Sequence, residues 1–256
     1  MRFTRSIVPN LFTLMNVFMG FSAIIYTADG KLYKAGLFIL LAGLFDALDG
    51  IVARLLKATS ELGAELDSLC DAVSFGVAPA FMLYHAYFYQ FNEYGILLAS
   101  LPALAGVTRL ARFNVMLTSF EDKLYFTGLP IPGGAVTILS FLIFFKDSGY
   151  LPKEFEATAY ILLTIVVSFA MVSTIKFDNM PRPTKKYIKS KPIVFSLFLI
   201  GAIASIATKG VLLFPFMMFY IIVSSIRQFL NWIKMNIGAD DEIDEGEDSN
   251  DITQLD

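Results

Sequence analysis

Eight apolar segments, each long enough or nearly long enough to cross a bilayer, follow one another with short polar breaks between them. They lie near 10–28, 33–54, 70–90, 94–113, 129–146, 157–175, 192–208 and 211–231. A hydrocarbon layer takes about 20 apolar residues of helix per crossing. Backbone in lipid must also satisfy its own hydrogen bonds, which leaves helices and closed barrels as solutions. Segments of this number and spacing predict an all-α polytopic helical bundle: six core helices plus two further spans. A mean hydropathy of +0.63 agrees. So does a charged fraction of 17%, against about 25% in soluble domains. The seventh and eighth segments meet at Thr208-Lys209-Gly210 and read as a hairpin. The first segment lacks a small-x-small cleavage pattern, and more spans follow it, so it reads as a span rather than a cleaved signal.

Charge sets the orientation. If the N-terminus is inside, fifteen Lys and Arg fall at inner ends and loops, and five fall outside: Lys31, Lys34, Lys146, Lys153 and Lys209. Both termini are then expected to be cytoplasmic, in a multi-pass protein of the cell membrane. Trp232 sits where an interfacial anchor belongs. Residues 1–235 read as one transmembrane domain and 236–256 as an acidic, disordered cytoplasmic tail. The nine acids of Gly238–Asp256 hide a basic remainder of 14 acids against 20 Lys and Arg. The loop KFDNMPRPTKKYIKSK at 176–191 is basic, but the inside rule already accounts for its charge. No nucleic-acid partner is expected.

Chemistry is narrowed by what is scarce. Cys70 is the single cysteine and His85 the single histidine, so a His-rich metal site and an internal Cys-His pair are both excluded. Carboxylates are not scarce. Asp46 and Asp49 are three apart, and Asp67 and Asp71 four apart, inside otherwise apolar stretches. On helices each pair shares a face. The break at Ala58, Thr59 and Ser60 makes the two helices antiparallel, which brings four acids together near the inner membrane surface. Such acids repel one another and pay heavily for desolvation. Arg54 alone cannot neutralise them. Hard oxygen ligands point to Mg²⁺ or Mn²⁺, and four acids suit two ions that clamp oxygens on phosphorus. Gly50, Ala53 and Gly63 leave room for a bulky ligand. Metal-free helix contacts, or an ion-transport path, would be the plainer uses of such acids. A transport path, however, would scatter them through the membrane depth.

The arrangement Asp-x2-Asp-Gly-x2-Ala-Arg-x8-Gly-x3-Asp-x3-Asp, from Asp46 to Asp71, resembles the signature of the CDP-alcohol phosphotransferase family without a departure. The resemblance implies a metal-dependent transferase with six core spans and a cytoplasm-facing site, where the donor diphosphate lies across the metals. It implies Asp46, Asp49, Asp67 and Asp71 as metal-associated acids, with Asp71 also the catalytic base. Pro9-Asn10-Leu-Phe-Thr13-Leu-Met-Asn16 with Gly20, Arg109-Leu-Ala-Arg112-Phe-Asn114 and Phe126-Thr-Gly128-Leu-Pro130-Ile-Pro132 are similar to segments of the phosphatidylserine-forming branch. Gly133-Gly134 departs from it, standing where Ala is frequent.

That branch implies CDP-diacylglycerol or CDP-archaeol as donor, L-serine as acceptor and membrane lipid as surroundings, and it allows a homodimer. Pro9, Asn10, Thr13, Asp49, Gly50, Ala53, Arg54, Gly63, Arg109, Arg112 and Asn114 are then candidate substrate-binding residues. Each outlying segment also has a plainer use. Pro9-Asn10 can start a helix, Pro130 and Pro132 can shape a span entrance, and Arg109 and Arg112 can anchor a span at the interface. Glycerol 3-phosphate, an inositol compound or choline are alternative acceptors, and a transporter is the alternative of another class.

Overall fold

The computed structural model describes residues 3–58, 60–118, 126–146, 149, 151–177, 199, 201, 203–205, 207–208 and 210–251. Its elements run α1 (Phe3–Ala28), α2 (Leu32–Leu55), α3 (Glu61–Asp71), a π-helical turn (Ala72–Val77), α4 (Ala78–Ala86), a 3₁₀ turn (Phe88–Phe91), α5 (Asn92–Thr118), β1 (Phe126–Thr127), α6 (Ile131–Phe144), α7 (Lys153–Val172), β2 (Lys176–Phe177) and α8 (Leu213–Asp251). Among the described residues, six helical stretches are long and apolar enough to cross a membrane. The bundle is all-α apart from one two-residue antiparallel ladder.

The expected segments that fall within the described residues map closely onto these helices, apart from the start of the third, the length of the fifth and the end of the last. The third span starts at Glu61 rather than near 70. Glu61, Glu65 and Asp67 lower the hydropathy there, yet Ser60 caps the helix by accepting a hydrogen bond from the Gly63 N–H at 3.1 Å. The fifth, α6, is only 14 residues long. The seventh, 192–208, lies mostly outside the described residues, as does most of the basic loop. Helix α8 continues through Asp251, carrying helical backbone into the segment whose composition favours disorder.

Large apolar side chains such as Leu11, Phe18, Leu40, Ile96 and Phe169 are exposed. In a bundle of this length they form the lipid-facing surface. The interior gathers at α4, α6 and α7. Tyr160 is fully buried, stacks on Tyr87 at 4.1 Å between ring centroids and meets Phe141 edge-on at 5.0 Å.

Two features fix the end of the bundle that carries the acids. Helix α2 closes with Lys57 in the left-handed region (φ 50°), while the N–H groups of Lys57 and Ala58 reach back to the carbonyls of Arg54 and Ala53. This doubly bonded C-terminal turn reverses the chain directly into the Ser60 cap. At the same end, Phe126 pairs with Phe177 and Thr127 with Lys176, joining the segments after α5 and α7. Gly128 follows with φ 81°, packed so closely on the Met171 carbonyl that a Cβ would collide with it.

Candidate metal and phosphoryl-transfer site

Helix α1 is the wedge of the site. It packs along both α2 and α3, whereas α2 and α3 make little direct backbone contact. The acids of α2 and α3 converge as expected, and α1 packs along both helices beside them. Pro9, Thr13, Asn16 and Gly20 recur at helical spacing, so one face of α1 supplies the wall.

Asp46, Asp49 and Asp67 each offer a carboxylate oxygen, and these atoms all lie within 4.8 Å of one another. Thr13 Oγ1 donates to Asp49 Oδ2 at 2.7 Å and orients that carboxylate. Asp67 Oδ1 is buried with no hydrogen-bond partner among the described residues. Three negative groups at this distance, one with an orphaned oxygen, fit a hard divalent cation: the donor set is all carboxylate, and a cation would satisfy the charge and the orphan together.

A cavity of about 170 Å³ adjoins the cluster, lined by Pro9, Asn10 and Thr13 of α1, by Asp49, Gly50 and Ala53 of α2, by Ala58 and Ser60 of the turn, and by Gly63, Ala64 and Asp67 of α3. Eight of the residues singled out in the sequence therefore share one cavity wall. Gly63 keeps it open: a Cβ there would press on Ser60 Oγ at 3.1 Å and meet Asn10 Oδ1 at 3.5 Å. Arg54 is exposed and folds its guanidinium back toward Gly50, since a Cβ at Gly50 would stand 3.7 Å from Arg54 Nη1.

Asp71 is placed differently. It is buried, lies outside the group of three carboxylates, and accepts a 2.9 Å hydrogen bond at Oδ1 from Asn16 Nδ2. The π-helical turn begins at the next residue. Such turns concentrate at functional sites, where they re-aim the side chains around them. Asn16 was not among the site residues drawn from the sequence. Its signal was available: a polar amide in an apolar span, one turn from Thr13 on the same face.

The arginine-bearing helix α5 divides its residues. Arg109 is buried, and its Nε has no partner among the described residues. Arg112 donates from Nη1 to the Val172 carbonyl at 2.9 Å and from Nη2 to the Ser173 carbonyl at 3.2 Å, so it caps the C-terminus of α7. Asn114 exchanges hydrogen bonds with Ser68 Oγ at 3.1–3.2 Å and reaches Glu65 at 3.5 Å, tying α5 to α3. The sequence marks all three as candidates for substrate. The structure gives Arg112 and Asn114 protein partners and leaves Arg109 with an unused donor.

The sequence profile described as CDP-alcohol phosphatidyltransferase matches residues 6–175, which takes in every site residue above. The chain belongs to this family. It is 32% identical over 227 residues to a CDP-diacylglycerol–serine O-phosphatidyltransferase of Helicobacter pylori, covering 89% of this chain and 93% of that protein. An archaetidylserine synthase of Methanothermobacter thermautotrophicus is 39% identical over 174 residues, 67% of this chain and 70% of the relative. A CDP-diacylglycerol–serine O-phosphatidyltransferase of Methanocaldococcus jannaschii is 32% identical over 220 residues, with 86% and 94% covered. The chain is thus a multi-pass membrane enzyme of the CDP-alcohol phosphotransferase class, with an aspartate cluster able to chelate a divalent metal ion.

Proposed function

We propose that this enzyme transfers a phosphatidyl or archaetidyl group from a CDP-linked lipid to L-serine, releasing CMP. The observation that carries the reading is the three-carboxylate cluster opening onto a cavity whose walls are the Pro9–Thr13 face and the Asp49–Asp67 segment. The serine-specific names of the relatives, matched over most of their length, support the acceptor.

Asp46, Asp49 and Asp67, together with Asp71, would hold Mg²⁺ or Mn²⁺, as two ions. The metal supplies charge neutralisation for the diphosphate and the CMP leaving group. Pro9, Asn10, Thr13, Gly50, Ala53 and Gly63 border the space for the CDP head, where the small residues leave room for it, and Arg54 follows Ala53 as a nearby positive charge for its phosphates. Asp71 takes the proton of the serine hydroxyl. The freed oxygen bonds to the lipid-bearing phosphorus as the bond from that phosphorus to the CMP oxygen breaks. Arg109, with its unused buried donor, receives the serine carboxylate. The carboxylates here serve as metal ligands or base, so direct attack is favoured over a covalent intermediate.

The fifteen-to-five charge bias supports a cytoplasmic site and cytoplasmic termini. Residues 1–235 act as one catalytic domain. The run of acids in 236–256 supports reading that segment as an acidic cytoplasmic tail. The deciding experiment is an acceptor screen with CDP-diacylglycerol and CDP-archaeol in Mn²⁺ or Mg²⁺, reading CMP and lipid product. L-Serine should dominate; robust turnover with glycerol 3-phosphate and none with serine would reject the acceptor.

A further inference from the structure

A second cavity lies at the end of the bundle remote from the acids. Helix α6 packs against both α2 and α8, while α2 and α8 make little direct contact among the described residues. The gap between them is a groove of about 450 Å³ with α6 as its floor. It is lined by Tyr33, Leu37 and Leu40 of α2, Leu139 and Ile143 of α6 and Leu213 of α8. Its two serines are already bonded within their own helical turns: Ser140 Oγ donates to the Thr137 carbonyl at 3.0 Å and Ser205 Oγ to the Gly201 carbonyl at 2.7 Å. Below Tyr33 the groove therefore presents mainly apolar surface.

Depth decides which lipid reaches it. At 1.5 Å per residue, Leu40 stands about 14 Å along α2 from Asp49, and Tyr33 about 24 Å. Half of the hydrocarbon layer is about 15 Å. A lipid whose phosphate sits at the acids ends its chains near where the groove begins. A lipid of the opposite leaflet runs its chain along the whole groove. The mouth also carries positive charge. Gly36 packs on Ile143 and Leu139 so closely that a Cβ would collide with Ile143, which sets α2 and α6 level there. Lys34 lies two residues outward from Gly36, and Lys146 three outward from Ile143. Neither has a carboxylate partner among the described residues, whereas Lys31 is paired with Asp29 at 2.8 Å. The Lys34 ammonium rests 5.9 Å from the Tyr26 ring centre, and the residue is exposed.

We propose that this groove binds an anionic phospholipid of the leaflet remote from the acids, with one chain between α2 and α8 and the phosphate held by Lys34 and Lys146. The lipid closes the gap that the protein leaves beside α2, the helix that carries Asp46 and Asp49. It takes no part in the transfer, because its phosphate stands on the far side of the hydrocarbon layer from the acids.

The test uses the full-length enzyme in vesicles. Trp232→Phe removes the single tryptophan, and Tyr33→Trp places a fluorescent reporter at the mouth of the groove. Phosphatidylglycerol or phosphatidylcholine with dibrominated chains quenches the reporter on contact. Phosphatidylglycerol should reach half-quenching at about a 10-fold lower mole fraction, the effect expected of two surface lysines. Lys34→Gln together with Lys146→Gln should abolish that preference. Ile96→Trp, on the lipid-facing surface of α5, should show none. Should Tyr33→Trp fail to fold, melting of the wild type in detergent with each lipid reads the same preference. Phosphatidylglycerol should then raise the melting temperature more than phosphatidylcholine, and the double lysine variant should lose the difference. Equal quenching by the two lipids would mean ordinary boundary lipid. Relief of quenching by added CDP-diacylglycerol would give the groove to a chain of the donor. A reporter that neither lipid reaches would mean that protein covers the groove. Each of these three results would overturn the proposal.

Discussion

Two regions at the same end of the bundle treat their polar groups in opposite ways. Around the C-terminal part of α5, where it meets α7 and α3, Arg112, Asn114 and Gly128 are hydrogen-bonded within the protein. Arg112 caps α7, Asn114 binds Ser68, and Gly128 donates its N–H to the Ile175 carbonyl beside the short ladder. At the junction of α1, α2 and α3, the account does not close. Three carboxylates face one another without a cationic partner among the described residues, and Asp67 Oδ1 is orphaned. Buried polar atoms cost free energy when unpaired, so this second region is poised for a ligand from outside the chain. Arg109, one turn before Arg112 on α5, belongs by this criterion with the unsatisfied region. Polarity inside a membrane helix is thus not enough to identify a substrate contact; what matters is whether the protein has already used it.

The contrast can be broken first at the metal cluster. Asp46→Asn and Asp67→Asn each remove a charge that the other two acids cannot replace. Turnover should fall by about 10³-fold or more, with Mn²⁺ and CDP-lipid affinity falling together. Titration of donor binding against Mn²⁺ for each variant checks this, and unchanged metal affinity would place the ion elsewhere. Next comes Asp71→Asn. Turnover should fall by about 10²-fold, while donor affinity changes far less, since three metal-facing acids remain. Rapid-quench CMP release beside equilibrium donor binding separates the two.

The arginine pair sharpens the comparison. Arg109→Gln should raise the serine KM by about 10-fold or more through loss of a buried charged donor. Arg112→Gln should leave the serine KM near normal and instead lower stability by about 1–2 kcal/mol, the scale of a lost helix cap. Serine titrations and detergent-solubilised melting curves on both variants measure the difference; matching kinetic defects would mean that the α7 cap and the acceptor site are one structure. The smallest effect belongs to Lys185, Lys186 and Lys189, whose positions lie outside the described residues. A triple Ala change should cost less than about 2-fold in turnover, because topology alone accounts for those charges. Activity of correctly inserted protein checks it.

Much of this was legible in the sequence because membrane burial makes charge conspicuous. Asp46, Asp49, Asp67 and Asp71 stand out where apolar residues are required, and helical spacing alone puts them on shared faces. Length and hydropathy located the six helices that are long and apolar enough to cross a membrane, and the shorter α6; the segment 192–208 lies mostly outside the described residues. The start of the third span was obscured because the acids that make the site also lower the hydropathy of their own helix. The wedge position of α1 was not legible, since periodicity gives a buried face but not the partner it meets. Arg112 and Asn114 show the same limit: their residue types suit a substrate anion or polar acceptor equally well, and only tertiary contact reveals that Val172 and Ser68 occupy them. Asn16 closes the Pro9–Asn16 segment one turn from Thr13, but only its tertiary contact with Asp71 shows what its amide meets.

In the proposed reaction the unsatisfied acid cluster, loaded with divalent metal, drives phosphatidyl transfer to serine. The most direct measurement follows labelled L-serine into chloroform-soluble lipid together with CMP release, from CDP-lipid, across a Mn²⁺ titration, in the wild-type enzyme and in Asp67→Asn. The expected result is one lipid-linked serine per CMP, no product after chelation, recovery on adding metal, and a variant that stays near background at Mn²⁺ levels saturating for the wild type. Metal-independent incorporation, or an Asp67→Asn enzyme with wild-type metal dependence and rate, would contradict it.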